Sequence, residues 1–160
     1  MQRRDFIALA LGGIVYIGIS PVKAFSAQTE FEVKKTVEEW KKQLTAEQFH
    51  ILREEGTEAP FTSALLKEKR EGTFHCAGCD HPLFLSSTKY DSYTGWPSFY
   101  DSVKGHVATR EDTSLLMKRT EYHCARCGGH HGHIFEDGPK PTGLRYCSNG
   151  AALKFVVKAG

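Results

Sequence analysis

The feature that most constrains this chain is a set of two Cys-x-x-Cys pairs, Cys76/Cys79 and Cys124/Cys127. Two such pairs in one small domain suit a single tetrahedral zinc ion with four thiolate ligands, which would link a hairpin near residue 77 to another near residue 125. A redox-active dithiol is the competing interpretation of either pair. His75 or His123, each directly before a pair, could also replace a cysteine as ligand.

Cys147 is the only cysteine outside these pairs. A metal with four thiolate ligands has no open coordination position, so any chemistry should belong to the remaining thiol. A lone cysteine is usually a small core hydrophobe. However, Arg145 and Asn149 lie two residues to either side, so on a strand they share a face with Cys147. We therefore expect Arg145 to lower the pKa of the thiol and Asn149 to offer amide hydrogen bonds.

Three histidines and one tryptophan extend the set of candidate residues. His130, His131 and His133 fall in one Gly-His-His-Gly-His segment, and their imidazoles can donate protons near neutral pH. Trp96 precedes Pro97, and an exposed indole held beside a proline is a suitable wall for a small apolar group. The alternative for Trp96 is a core position at a turn.

Composition and pattern predict one globular domain that is mainly β. The chain has 160 residues, of which 40% are hydrophobic and 25% charged. Residues 36–44 have helical apolar spacing, and Thr45 and Gln48 match a capping box that opens a second helix ending near Gly56. Short runs between turn residues then predict a compact core of antiparallel strands at 72–76, 82–85, 105–109, 115–122, 133–135, 144–147 and 153–157.

The first 26 residues have the pattern of an export signal. Arg3 and Arg4 precede an apolar run over residues 6–19, and small residues near Ala24 suit a signal peptidase. The pattern resembles the twin-arginine signal, whose pathway exports folded proteins. An uncleaved membrane anchor is the alternative. We therefore divide the chain into a signal (1–26), a connector (27–35) and a domain (36–157), and we expect an exported, periplasmic protein.

Net charge limits the partners. The formal charge is +2, and the first 26 residues account for it with Arg3, Arg4 and Lys23 against Asp5. The remainder is close to neutral and has no cluster of basic residues. We therefore expect neither a nucleic-acid partner nor a strong electrostatic attraction to membrane surfaces.

Several longer motifs extend over about residues 36 to 155 and match one enzyme family in order and spacing. They are GTE-x-PF at 56–61, GWPSF at 95–99, H-x-GH at 130–133, DGPKPTG-x-RYC at 137–147 and N-x-A-x-LKF at 149–155. Together with the four paired cysteines, they resemble the B-type peptide methionine-R-sulfoxide reductases. The resemblance implies the antiparallel β fold of that family, one structural Zn²⁺, and oxidised proteins as substrates.

The resemblance also implies roles for individual residues. The Cys147 thiolate would attack the sulfur of methionine sulfoxide, become a sulfenic acid and release methionine. The proton-donating and oxygen-binding residues would be His130, His133 and Asn149, supported by Arg145. The substrate-binding residues would be Trp96 against the methyl group, together with Phe135 and Asp137.

Three positions depart from the family pattern. Thr94 occupies the place where many members have a second, resolving cysteine, so regeneration should need an external thiol such as a thioredoxin-like protein. Gly128 replaces a common acidic residue. His131 replaces a common leucine, which we interpret as surface variation. We expect the protein to be a monomer.

Two other functional classes compete with this prediction. A zinc-ribbon-like interaction module, with Cys147 buried and inert, would explain the paired cysteines but not the Trp, His and Arg-Tyr-Cys segments. A thiol hydrolase would need Cys147 paired with an imidazole such as that of His130, and an oxyanion hole. Both alternatives predict that methionine sulfoxide is not consumed.

Overall fold

The computed structural model describes residues 30–114 and 117–159. The predicted export signal and the start of the connector lie outside these residues, as does the start of the strand predicted at 115–122. None of the helices in the described ranges is long and apolar enough to cross a membrane.

Two short α-helices open the described chain, α1 (Val37–Gln43) and α2 (Ala46–Glu54). A complete capping box precedes each helix, with Thr36 and Glu39 in the first and Thr45 and Gln48 in the second. Both helices were predicted, but only the second capping box was, although the residues of the first box have the same spacing. Helix α2 ends two residues before the predicted Gly56, because Glu55 takes a left-handed conformation with φ of 58°.

Nine strands in the described ranges form two antiparallel sheets, which confirms the predicted mainly β fold. The three-stranded sheet has the order β2-β1-β9 and the six-stranded sheet the order β3-β4-β8-β7-β6-β5. The strands are β1 (Gly72–Cys76), β2 (Pro82–Leu85), β3 (Lys89–Tyr90), β4 (Ser98–Phe99), β5 (Val107–Asp112), β6 (Arg119–Cys124), β7 (His130–Phe135), β8 (Arg145–Ser148) and β9 (Leu153–Val157).

Strand bounds agree best with prediction in the three-stranded sheet. Strands β1, β2 and β9 have the predicted limits. Strands β5 to β8 differ by one to four residues at one or both ends, and the two-residue strands β3 and β4 were missed. Such short pairings depend on a neighbouring strand rather than on a local apolar pattern.

Buried aromatic rings join the two sheets. Phe74 of β1 and Phe84 of β2 both contact Phe99 of β4, with ring centroids 4.9 Å and 4.2 Å apart. The Tyr122 ring of β6 meets Phe84 edge-on at 5.9 Å. All four side chains are fully buried, so removing their apolar surface from water stabilises the sheet packing.

The segment before α1 packs on the turn between β6 and β7. The Val33 N–H donates to the Arg126 carbonyl at 3.0 Å, and the Phe31 ring meets His123 edge-on with centroids 5.7 Å apart. Gly128 has a φ of +69°, and a Cβ there would lie 2.4 Å from the Phe31 ring. The glycine at this position therefore leaves room for Phe31.

Candidate active site and metal site

The four paired cysteines meet where the two sheets approach each other. Their sulfur atoms all lie within 4.8 Å of one another, with Cys76 and Cys127 3.7 Å apart and Cys79 and Cys124 3.5 Å apart. A tetrahedral site with Zn–S bonds of ~2.3 Å has S–S edges of roughly 3.8 Å. The geometry and the four-thiolate donor set therefore form a structural zinc site with no open position.

Each cysteine pair lies in a turn of the same kind, closed by one backbone hydrogen bond. The Asp80 N–H donates to the Cys76 carbonyl at 2.8 Å, and the Gly128 N–H donates to the Cys124 carbonyl at 2.9 Å. His75 is directed away from the cluster, with its Nδ1 2.9 Å from the Asp80 carbonyl. His123 packs against Phe31 and is likewise not part of the thiolate cluster. The alternative of a histidine ligand is therefore not supported.

A pocket of about 150 Å³ brings together five of the predicted site residues, Trp96, His133, Phe135, Cys147 and Asn149. Thr57 and Arg119, which were not predicted, also line it. Cys147 lies at the centre of the six-stranded sheet, opposite Ser98 of β4 and His133 of β7. The central strand therefore presents a half-buried thiol between an indole and an imidazole.

The environment of the Cys147 thiol differs from the prediction in one respect. Burial raises the pKa of this thiol, while the positive charge of Arg145 and a hydrogen-bonding interaction with Thr94 lower it without offsetting the burial. The expected effect of Arg145 is thus present but outweighed. The balance follows from desolvation, because a thiolate loses hydration when neighbouring strands cover it.

Arg145 is fixed by two interactions beside the pocket. Its Nε and Nη2 donate to the two carboxylate oxygens of Asp137 at 2.7 Å and 2.8 Å, and its guanidinium lies 4.3 Å from the centre of the Phe135 ring. Asp137 is not among the residues that line the pocket, and its side chain is largely exposed. Asp137 therefore binds Arg145 and does not line the pocket, which differs from its predicted role in substrate binding.

Asp112 is a site residue that sequence reasoning missed. His133 Nε2 donates to Asp112 Oδ2 at 2.7 Å, and Arg119 Nη2 donates to the same oxygen at 2.7 Å. Hydrogen bonds from Ser114 and His133 hold the pKa of Asp112 well below its usual range. Burial lowers the pKa of His133, and the bond to Asp112 partly opposes this. No local signal identifies Asp112, because it lies on β5, two strands from His133.

His130 bonds to a buried carboxylate, that of Glu121. Its Nδ1 is 2.7 Å from Glu121 Oε1, and Arg110 donates to the other oxygen of Glu121. Although burial opposes it, hydrogen bonds from His130 and Arg110 hold the pKa of Glu121 below its ordinary value. His130 Nε2 is buried and has no hydrogen-bond partner within residues 30–114 and 117–159. His130 is not among the residues that line the pocket.

The interpretation of His131 as surface variation is wrong. The side chain is fully buried and stacks on Tyr122 with centroids 6.2 Å apart. Neither ring nitrogen has a hydrogen-bond partner in the part of the chain that the structure describes, and burial lowers the pKa of His131 to about 3. An irregular register between β6 and β7 at this point breaks the regular alternation of faces, which the sequence pattern did not reveal.

Asn149 and Glu58 hold one wall of the pocket. The Glu58 N–H donates to Asn149 Oδ1 at 2.9 Å, and Asn149 Nδ2 donates to the His131 carbonyl at 3.0 Å. The Glu58 carbonyl also accepts a hydrogen bond from Trp96 Nε1 at 3.1 Å. The amide oxygen of Asn149 and one of its N–H groups are therefore engaged within the protein, and Asn149 fixes the loop that positions Trp96.

Glu58 is a further buried carboxylate that was missed, although it lies in the GTE-x-PF motif. Its side chain accepts hydrogen bonds from the backbone N–H groups of Gly150 and Ala151 at 2.6 Å and 2.9 Å. Burial raises the pKa of Glu58, while these two hydrogen bonds oppose the rise. Its partners lie about 90 residues away along the chain, which explains why no local pattern predicted the contact.

Comparison with known proteins gives consistent results. The family model described as the SelR domain matches residues 44–157. A peptide methionine sulfoxide reductase MsrB of Leptospira interrogans is 58% identical over 126 residues, covering 78% of this chain and 96% of that protein. Proteins with the same description from Methanosarcina barkeri and Agrobacterium fabrum are 55% and 53% identical, each over 79% of this chain and over 89% and 95% of their own lengths.

Proposed function

Because this chain belongs to the SelR-domain family, we propose that it reduces methionine-R-sulfoxide in oxidised proteins to methionine. The observation that carries the proposal is the position of Cys147. It is the one cysteine outside the zinc site, and it lies in a pocket between Trp96 and His133. An inert zinc-ribbon module would not need such a pocket around its remaining thiol.

The chemical step uses the Cys147 thiolate as nucleophile. The thiolate attacks the sulfur of the sulfoxide, and the oxygen passes to Cys147 with uptake of one proton, which gives a sulfenic acid and a thioether. The cysteine sulfur is oxidised by two electrons and the methionine sulfur is reduced by two. Because burial raises the pKa of Cys147, the charge of Arg145 is needed to favour the thiolate.

His133 is proposed to supply the proton for the sulfoxide oxygen. It lines the pocket and lies opposite Cys147 on the neighbouring strand. A carboxylate can only accept, so the bond to Asp112 assigns the Nε2 hydrogen and leaves Nδ1 as the nitrogen that can gain a proton. His130 would donate through its Nε2, which has no hydrogen-bond partner among the described residues. Asn149 would donate to the sulfoxide oxygen through its remaining amide N–H.

Trp96 and Phe135 are proposed to hold the apolar part of the side chain. Both line the pocket together with Cys147, and the Trp96 indole N–H is fixed by its bond to the Glu58 carbonyl. Apolar rings for the methyl group and separate polar groups for the oxygen would favour one sulfoxide epimer. Asp137 would contribute indirectly by holding Arg145.

Regeneration is proposed to need an external thiol. The other four cysteines form the zinc site, and Thr94, whose hydroxyl helps to lower the pKa of the Cys147 thiol, stands where many family members have a resolving cysteine. An intramolecular disulfide would therefore remove a zinc ligand. A small or protein thiol that attacks the sulfenic acid directly avoids this loss.

The zinc-loaded full chain should be incubated with separated R and S epimers of a methionine sulfoxide peptide and excess dithiothreitol. We expect loss of the R epimer alone and no turnover by Cys147→Ser, with zinc content and melting temperature unchanged in that variant. Equal turnover by Cys147→Ser would exclude it as the nucleophile. No loss of either epimer from a folded, zinc-loaded sample would favour the interaction module, and cleavage of a thiol-protease probe would favour the hydrolase.

We also propose that the protein is exported and monomeric. Residues 1–26 are proposed to act as a twin-arginine-like signal that leads the domain to the periplasm, supported by Arg3 and Arg4 before an apolar run. Replacing both arginines with lysine should retain the protein inside the cell, as judged by fractionation. The proposed monomer is checked by sedimentation or light scattering.

A further inference from the structure

Two aromatic side chains beside the pocket are unusually exposed. The relative exposures of Phe61 and Tyr93 are 71% and 84%. Both residues also have left-handed backbone conformations, with φ of 67° and 60°. Such a conformation is uncommon for a bulky residue and is unfavourable in the isolated backbone. Neither burial nor local backbone preference therefore explains why aromatic side chains occupy these two positions.

Both residues adjoin the walls of the pocket. The Phe61 N–H donates to the Gly95 carbonyl at 2.7 Å, and a Cβ at Gly95 would lie 3.0 Å from the Phe61 ring. Gly95 is followed by Trp96, which lines the pocket, and Tyr93 lies three residues before Trp96 in the same segment, between Ser92 and Thr94. We name Phe61 and Tyr93 the aromatic rim.

We propose that the aromatic rim binds apolar side chains next to methionine sulfoxide in an extended or unfolded segment of the substrate. This inference rests on the proposed function. A pocket of about 150 Å³ is below the ~300–1,000 Å³ of sites that enclose drug-sized ligands, so it suits a single side chain. Neighbouring Cα atoms in a peptide are only ~3.8 Å apart, so the flanking residues must lie across the edge of the pocket.

The chemistry of the rim matches this occupant. Exposed aromatic rings bind apolar and aromatic side chains through area burial and ring contacts. In folded proteins such side chains are mostly buried, so they become available to the rim chiefly in segments that have unfolded. The rim therefore selects oxidised methionines that lie beside apolar residues in exposed chain segments.

Two R-sulfoxide peptides test the proposal, one with phenylalanine and one with glycine on both sides of the methionine sulfoxide. We expect Phe61→Ala and Tyr93→Ala each to lower the ratio of kcat/KM for the two peptides by about tenfold, mainly through KM. Val156→Ala is the matched control, because Val156 is 43% exposed and lies in the three-stranded sheet, away from the pocket. This control should leave kcat/KM for both peptides unchanged.

Each other outcome overturns the inference. An equal loss on both peptides would show that Phe61 only supports Trp96, and no change would show that the rim does not contact substrate. A change in sedimentation of the variants with an unchanged ratio would identify the rim as a surface for self-association. If the wild-type chain reduces neither peptide, the proposed function itself fails, and the two failures are thereby distinguished.

Discussion

At the scale of single residues, the pocket depends on imidazoles whose surroundings differ widely. His133 and His130 each bond to a carboxylate, whereas His131 is fully buried without a partner for either nitrogen in the described residues. A buried imidazole without a partner loses hydrogen bonds to water and resists gaining a proton. Three histidines within four residues of sequence therefore have different chemical roles.

His131→Leu should stabilise the protein, most strongly at low pH. The pKa of His131 is lowered to about 3 in the folded state, so below its unfolded pKa of ~6.5 only the unfolded chain gains this proton. Stability from the neutral imidazole is thus lost as pH falls from about 6.5 towards 3. At pH 5.0 the loss is roughly 2 kcal/mol, which leucine should abolish.

Denaturant unfolding at pH 7.5 and pH 5.0 measures this effect. His50→Gln is the control, because the His50 side chain is 59% exposed. Zinc content must be equal at both pH values. A variant as acid-sensitive as the wild type would contradict the assignment of a buried, neutral His131.

Asp112→Asn should slow turnover with little change in KM. The variant removes the negative charge that stabilises protonated His133. The asparagine amide can donate as well as accept, so it no longer determines which ring nitrogen of His133 carries the hydrogen. We expect kcat to fall about 10- to 100-fold, as for loss of an orienting partner in comparable sites. Without Asp112 the pKa of His133 should fall, so the pH above which protonation limits the rate should also fall.

The pH profile of kcat separates this role from a general loss of stability. Glu111→Gln is the control, because Glu111 is the neighbouring exposed carboxylate and bonds only to Lys118 in the described structure. If Asp112→Asn lowers activity without moving the profile, Asp112 does not act through His133.

At the scale of secondary-structure elements, the close approach of β7 and β8 determines which residue can occupy position 132. Gly132 pairs with Ser148, and a Cβ at Gly132 would lie 1.9 Å from the carbonyl oxygen of Cys147. No rotation of a side chain relieves that contact, because both atoms belong to backbone positions. The strand that carries the nucleophile therefore requires glycine opposite it.

Gly132→Ala should separate these strands and destabilise the protein by about 3 kcal/mol or more, with loss of turnover. Gly143→Ala is the matched control, since Gly143 has a φ of +72° and no atom within 4 Å of an added Cβ. Its backbone strain alone should amount to about 1–2 kcal/mol. Chemical denaturation and activity assays compare the two. Similar losses in both variants would show that the close approach is unimportant.

At the scale of the whole molecule, the zinc site joins the two sheets and the helices cover it. Cys76 ends β1 of the smaller sheet, and Cys124 ends β6 of the larger. Gln43 of α1 donates to the Gly78 carbonyl at 2.6 Å, and Arg53 of α2 donates to the Cys127 carbonyl at 3.0 Å. Loss of the metal should therefore loosen both sheets and both helices together.

Cys124→Ser should release zinc and lower the melting temperature sharply, because thiolate binding energy contributes directly to folding in such sites. Metal analysis and thermal unfolding of the same preparation measure both effects. Cys147→Ser, which lies outside the cluster, is the matched control and should retain its metal. A Cys124→Ser chain with full zinc and an unchanged melting temperature would show that the site is not a four-thiolate site.

The sequence by itself determined the elements and ligands that depend on local spacing. The Cys-x-x-Cys pairs identified the zinc ligands, the capping box at Thr45 located α2, and short runs between turn residues gave β1, β2 and β9 their bounds. Family motifs identified Cys147 and its pocket neighbours. These features are predictable because each depends on residues close together in the chain.

Only the tertiary structure decided the electrostatics of the site. Asp112, Glu121 and Glu58 reach their partners across strands or over about 90 residues, and burial of Cys147 outweighs the nearby Arg145. The register between β6 and β7 turned His131 inwards. Desolvation and long-range hydrogen bonds depend on which groups from distant parts of the chain surround a residue. The packing of the two sheets determines those neighbours.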